Sequence, residues 1–417
     1  MQRYLILLRL RPEFRKLWLA SVISFAGDWF NTIATVILVN RYTDSTTAVG
    51  ALFIARALPP FLLSPIAGVI ADRFNRKHVL IVTDILRFFI VLGFLFINST
   101  EDAWAIYLLT IAQFIVSAFF DPARAAILPS LVSGDDELLN ANTLSGITWS
   151  AMLALGAAVG GIVAGVFGVT AAIIIDAFSF LLSAWFIWHI HAVTRAEPSG
   201  DPTSGWQDMI AGFQYVLQRP RTGLTACVKA LTQFGNADIM IAVYAAQVFH
   251  FGKDGAITLG LLYAAAGVGA VIGPIIANLF TDGTIRKLQN GISIGFVVVA
   301  VGWLLFGLAP ILPLAMLAIM LRYMGGSINW TYSTVVLQLR VPNQFLGRVF
   351  AFDFALFTLA MALSVWFTGF ILDNTGTTPR QFTFILALGT LWPLIPWMWL
   401  NRNDPQRKTA VAPETFD

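Results

Sequence analysis

The chain is a succession of long apolar blocks, most of them near 20 residues or more, separated by short polar or charged stretches. A block of that length crosses a hydrocarbon core about 30 Å thick at 1.5 Å per residue. In lipid every backbone N–H and C=O must be paired within the segment, so these blocks are helices. A membrane β-barrel would instead show short segments of alternating polarity. Composition agrees: charged residues are 12 % of the 417 and apolar residues 57 %, whereas soluble domains carry roughly a quarter charged residues. The single cysteine, Cys227, excludes an intramolecular disulfide, and no Cys/His group has metal-ligand spacing. Basic residues are dispersed among loops, so the net charge of +3 does not point to nucleic acid.

Breaks at charged, Pro-rich and Gly-rich stretches predict twelve spans: 17–40, 47–70, 78–98, 103–128, 139–166, 170–192, 222–250, 257–280, 286–308, 312–336, 346–372 and 380–401. Arg9, Arg11, Arg15 and Lys16 precede a first span too long for a cleaved signal core, which reads as a retained anchor. One alternating set of loops holds Arg15, Lys16, Arg73, Arg76, Lys77, Arg124, Arg219, Arg221, Arg286, Lys287, Arg340 and Arg348. The other set holds only Arg41, Lys253 and Arg380. Lys and Arg accumulate on the cytoplasmic side, so this asymmetry predicts an even number of spans and both termini in the cytoplasm.

The generous polar stretch 193–221 divides the chain into a first bundle, 1–192, and a second, 222–417, ending in a cytoplasmic tail. Within it Ser204 and Gln207 have capping-box spacing, and Trp206, Met209, Ile210, Phe213, Val216 and Leu217 recur at helical spacing. A short amphipathic helix follows, lying either on the membrane surface or on protein. Gly68-Val-Ile-Ala-Asp72 with Arg76-Lys77 has a faint counterpart in Gly273-Pro-Ile-Ile-Ala277 with Arg286-Lys287, each between the second and third span of its half. The expected fold is therefore an all-α membrane protein with twelve transmembrane helices in two pseudo-symmetric six-helix bundles. Paired halves enclosing a midplane site describe many secondary transporters.

The segment Gly68-Val-Ile-Ala-Asp72-Arg73-Phe74-Asn75-Arg76-Lys77 resembles the loop signature of the major facilitator superfamily, with Asn75 in place of a Gly. Further matches are Gly27-Asp28-Trp29, Ala55-Arg56-Ala-Leu-Pro59, Phe120-Asp121-Pro122-Ala-Arg124, Asn142-Thr-Leu, Asp176-Ala-Phe-Ser-Phe and Gly347-Arg348-Val. Together they are similar to the macrolide-efflux and enterobactin-exporter branch of bacterial drug:proton antiporters. The resemblance implies the major facilitator fold, a multi-pass place in the bacterial inner membrane, and alternating access by a monomer. It also implies proton-coupled export of amphipathic small molecules such as drugs, macrolide-like compounds or siderophores, without a cofactor. A departure lies in span 5, where Gly156-Ala157-Ala158-Val159-Gly160-Gly161 lacks the Pro of the antiporter element. A lipid or lysolipid carrier, or an importer, is the alternative on the same fold; a non-transporting receptor is the alternative of another class.

Ionisable groups inside spans cost about 2.5–3.5 kcal/mol on insertion scales, which makes each a functional candidate. Asp28 in span 1 is suited to proton or substrate coupling, with Arg56 as its coupling or ion-pair partner. Asp238 in span 7 and Arg322 in span 10 join that group; Arg322 meets either an acid or an anionic substrate group. Asp84 and Arg87, three residues apart on span 3, suit a local pair, and Lys229 near a helix end suits snorkelling. Gly68, Asp72, Arg73, Arg76 and Lys77 are expected to form a cytoplasmic gate. Asp121, Arg124, Arg348 and Asp353 are its expected partners, with charge-assisted bonds near helix ends and contacts to membrane lipid headgroups. Trp29, Asn31, Gln113, Trp149, Asn236, Asn329 and Trp330 could line a substrate cavity. Trp185, Trp188, Trp392, Trp397 and Trp399 suit an interfacial belt. No phosphate-cradling motif, nucleophile constellation or soluble catalytic head is visible, so an enzyme is not expected.

Overall fold

A computed structural model describes residues 2–191, 214, 216–234, 237–282 and 284–402. Among these residues the chain is helical, without strands. In order the helices are α1 (Gln2–Leu10), α2 (Pro12–Thr43), α3 (Thr46–Arg73), α4 (Arg76–Gly93), α5 (Ala103–Ile127), α6 (Gly134–Phe167) and α7 (Val169–Trp188). They continue as α8 (Pro220–Thr232), α9 (Ala237–Gln247), α10 (Ala256–Asn278), α11 (Ile285–Leu308), α12 (Leu312–Arg340), α13 (Asn343–Asn374), α14 (Pro379–Leu391) and α15 (Leu394–Asn401). Ten helical segments of the described residues are long and apolar enough to cross a membrane. The expected tenth span is α12, a 29-residue helix whose middle carries Arg322.

Local chemistry explains most boundaries. Pro12 opens α2, where its missing N–H is no loss, and Asp44 closes it in the left-handed region at φ 47°. The Ser45 hydroxyl accepts a bond from the Ala48 N–H at 3.2 Å and starts α3. Asn75, which stands in place of a Gly of the loop signature, is not in the left-handed region. Its φ is −61°, and its side chain accepts bonds from the Lys77 and His78 N–H groups at 3.0 and 3.4 Å as the N-cap of α4. The seventh span is broken, contrary to the continuous helix expected: α8 stops at Thr232 and α9 starts at Ala237. The interruption is seen at Gln233 and Phe234, ahead of a Gly and an Asn in the sequence, residue types that weaken a helix interior. The last span is interrupted at Trp392 and Pro393, where proline withholds an N–H.

The described residues form two compact units. The first comprises Met1–Pro202 with Ile241–Ala264, the second Thr203–Met240 with Ala265–Asp417. In the first, α2 packs on α6 and α7, α4 on α5 and α7, and α3 on α5. In the second, α11 packs on α12 and α14, and α8 packs on α13. Third with fourth, third with sixth, and first with fifth spans therefore pair in both, and the repeat faint in sequence is plain in packing.

Small residues decide the closest approaches. A Cβ on Gly161 would stand 2.6 Å from the Gly260 Cα and 2.7 Å from the Ala256 carbonyl oxygen. Only glycine allows α6 and the start of α10 to touch there. In the second unit Gly273 lies against Met324 and Ser327 of α12. The interfacial-helix expectation falls largely outside the described residues. Of that stretch, Leu217 is exposed, while Val216 is buried against Ala226, Leu337, Val341 and Val349, which favours packing on protein at its end. Trp185, Trp188, Trp392 and Trp399 are exposed, as a belt requires. Trp397 is not part of it: it is buried, and its indole N–H donates to the Gln289 carbonyl at 3.2 Å.

Candidate functional site

The first unit buries a cluster of three acids and two arginines within its spans. Arg87 of α4 donates to Asp84, one turn away, and both side chains are almost fully buried (3 % and 0 % exposed). The Arg87 guanidinium lies 4.3 Å from the Phe120 ring and 4.4 Å from the Phe180 ring, so its faces meet α5 and α7. Asp28 of α2 is half-buried, and its electrostatic neighbours are Arg87, then Arg56, with Asp121 as a like charge. Arg56 of α3 donates to the Thr32 hydroxyl and, at 3.3 Å, to the Thr35 hydroxyl; its guanidinium is 4.9 Å from the Phe114 ring. Asp176 of α7 is the third acid, fully buried beside Asn31. Three carboxylates face two guanidiniums, so one bound proton brings the cluster to neutrality.

The second unit holds two charge groups. Lys229 of α8 pairs with Asp353 of α13 at 2.5 Å. The ammonium sits 4.7 Å from the Trp330 ring and 5.5 Å from the Phe350 ring. Lys229 therefore does not snorkel; it is buried and bonded to the acid that sequence alone assigned to the gate. Nearby, the Asn329 amide donates to the Thr232 hydroxyl at 3.3 Å, at the end of α8. Asp238, at the start of α9, accepts a bond from the Tyr323 hydroxyl at 3.2 Å. Arg322 is buried next to them, its guanidinium 5.4 Å from the Trp303 ring and 5.0 Å from the Tyr323 ring. Its Nε and Nη2 make no hydrogen bond, and Asp238 acts on it only through the field.

The expected gate is described in part. Gly68, Asp72 and Arg73 lie in α3, but their side-chain surroundings, like those of Arg348, fall outside the described residues. Arg76 donates to the Ala126 carbonyl at 2.9 Å, and Lys77 to the Ile190 carbonyl at 2.7 Å, tying the start of α4 to the ends of α5 and α7. Asp121 and Arg124 pair with each other at 3.2 Å, three residues apart, and Arg124 also lies 5.3 Å from the Phe25 ring. The same end of the unit carries Arg11, which donates to Glu137 at 2.7 and 3.1 Å. Those bonds hold the Glu137 carboxyl below the ordinary carboxylate range.

Among the cavity candidates, Trp29 meets Tyr263 at 5.0 Å between ring centres, inside the first unit. Asn31 and Gln113 are buried, and the Asn31 Nδ2 and Gln113 Oε1 make no hydrogen bond. Trp149 and Trp330 are exposed, and Asn236 lies outside the described residues. Sequence reasoning left Asp176 without a role and gave Lys229 only that of a snorkelling cation. Both carried a legible signal, since each is an ionisable side chain inside an apolar span.

Comparison with known proteins places this arrangement. The profile of the transmembrane secretion effector family matches residues 8–391. A Bacillus amyloliquefaciens protein named for bacilysin export, BacE, is 26 % identical over 382 residues, covering 91 % of this chain and 93 % of the relative. The enterobactin exporter EntS of Citrobacter koseri is 25 % identical over 351 residues, covering 83 % and 82 %. Among solved structures, the nucleoside transporter NupG superposes with a TM-score of 0.72 at 12 % identity, covering 94 % of this chain and all of NupG. A bacterial homologue of the iron transporter ferroportin, in an inward-facing state, also gives 0.72, at 14 % identity over 93 % of this chain and 98 % of its own. Low identity with high structural overlap is agreement in fold. The chain belongs to the transmembrane secretion effector family of major facilitator superfamily transporters.

Proposed function

We propose that this transporter is an exporter of amphipathic small molecules driven by proton entry, working by alternating access with both termini in the cytoplasm. The observation that carries the reading is the buried cluster of Asp28, Asp84 and Asp176 with Arg56 and Arg87, whose acids outnumber its bases by one. A surplus charge away from water costs several kcal/mol unless a proton neutralises it. Proton occupancy is therefore coupled to whether the cluster faces water. The direction draws on the relatives named for export of bacilysin and enterobactin. Within the first unit, Trp29, Asn31 and Gln113 supply the mix of apolar wall and few polar groups that such ligands need. Asp28, half-buried, is the member of the cluster that water reaches, and Asp72 with its basic neighbours gates the cytoplasmic end.

The test has two stages. Purified protein is melted in the presence of dipeptide antibiotics, catecholate siderophores, macrolides and lysolipids to find a stabilising ligand. That ligand is then offered, radiolabelled, to inside-out vesicles with an acidic lumen. Accumulation that disappears on adding an uncoupler, and that Asp28→Asn largely abolishes, is expected. Accumulation indifferent to the uncoupler, or confined to right-side-out vesicles, contradicts the reading.

A further inference from the structure

Asp176 has surroundings unlike those of the other acids described within the spans of the first unit. Its exposure is 0 %, and neither carboxyl oxygen accepts a hydrogen bond. The neighbouring Ser179 hydroxyl is turned to the Asp176 backbone carbonyl at 2.7 Å. The Asn31 amide faces the carboxyl from α2, yet its Nδ2 makes no well-formed bond either. The charged groups that act on Asp176 from the elements around it are Asp28 on α2, Arg87 on α4 and Arg56 on α3. Arg87 is bonded to Asp84, and Arg56 donates to Thr32 and Thr35. The α2 backbone comes unusually close: a Cβ on Gly27 would stand 2.7 Å from Asp176 Oδ1. The residue after that glycine is Asp28, which is half-buried rather than sealed.

An ionised carboxylate stripped of water needs donors or a bonded cation, and this one has neither. Asp84 has Arg87, and Asp28 is only partly buried. We propose that Asp176, and not Asp28, holds the exchangeable proton of the first unit, with Asp28 as its relay to water past Gly27. The step balances simply. In the state described here Asp176 is a carboxylic acid. When α2 shifts against α7 at Gly27, the proton passes from the Asp176 carboxyl to the Asp28 carboxylate and then to water. The Asp176 carboxylate left behind accepts bonds from the Asn31 amide, which is unpartnered until then. This assignment deepens the proton-coupled reading, but protonation of Asp176 can be measured without a substrate.

The experiment is infrared difference spectroscopy on the purified full chain at neutral pH. Wild type is expected to show the C=O stretch of a buried protonated carboxyl group. Asp176→Asn loses that band; Asp28→Asn keeps it but exchanges its proton for deuterium more slowly. Asp176→Glu, which retains the acid, keeps a band at a shifted frequency and serves if the Asn variant does not fold. A band that persists in Asp176→Asn, that fails to shift in Asp176→Glu, or that is missing from wild type overturns the assignment. The transport arm separates the two claims. Proton-driven accumulation surviving in Asp176→Asn sinks this assignment and leaves the exporter reading standing. Absence of proton-driven accumulation in wild type, with the band behaving as expected, sinks the reading and leaves the assignment.

Discussion

Replacing Lys229 by Met is expected to destabilise the purified protein by about 3–5 kcal/mol, the usual result of breaking a buried ion pair from one side. The Lys229 ammonium is 2.5 Å from Asp353, with both side chains nearly sealed from water at 6 % and 2 % exposure. Removing it strands a carboxylate whose other oxygen already lacks a hydrogen bond. The Trp330 and Phe350 rings beside the ammonium would then face a methyl group, losing their cation contact as well. The double variant Lys229→Met with Asp353→Leu removes both charges and leaves an apolar pair of similar bulk. Buried pairs exchanged whole for apolar side chains are often near neutral in stability. The double variant should thus melt well above Lys229→Met alone, in thermal unfolding followed by intrinsic fluorescence. A double variant as unstable as the single one would mean the pair is not what joins α8 to α13.

Arg87→Met is expected to be as severe, with a marked dependence on pH. Arg87 is the bonded partner of Asp84 and the strongest opposite charge acting on Asp28. Without it three acids share only Arg56, so neutrality needs two bound protons rather than one. The folded variant then binds more protons than its unfolded chain, and stability falls as pH rises. Melting measured across acidic to alkaline buffers should show the deficit largest in alkali and smallest in acid. Arg87→Lys keeps the charge but not the planar face between the Phe120 and Phe180 rings, 4.3 and 4.4 Å away. It should lose about 1–2 kcal/mol without the steep pH dependence, since the two cations are not interchangeable at a stacked site. Equal losses for Met and Lys at every pH would remove Arg87 from the charge balance of the cluster.

What the chain discloses before folding follows from what lipid demands. Hydrocarbon forces each apolar block into a helix, so spans 1 to 6 are readable to within a few residues. The second half is less transparent for reasons tied to named residues. Gln233-Phe-Gly-Asn236 is too short and too mildly polar to interrupt a hydropathy pattern, yet α8 ends there. Trp397 has the composition of an interfacial anchor, and only tertiary contact with Gln289 places it inside. The Asp84–Arg87 pair is legible because helical spacing alone brings the two together. Pairs across helices are not: Lys229 and Asp353 are 124 residues apart, and nothing local connects them. The same holds for Asp176, whose distinction is the lack of any bond to its carboxyl. A group defined by missing partners cannot be recognised until its neighbours are in place.

The central claim is that substrate and protons move in opposite directions through one chain, and proton movement can be read directly. Purified protein is reconstituted into liposomes with an acidic interior and an enclosed pH-sensitive dye. The ligand that stabilises it in melting assays is then added outside. The account predicts that the interior turns alkaline as ligand enters, in wild type but not in Asp28→Asn, which binds the ligand all the same. Ligand entry into wild-type liposomes with no change in interior pH would contradict it.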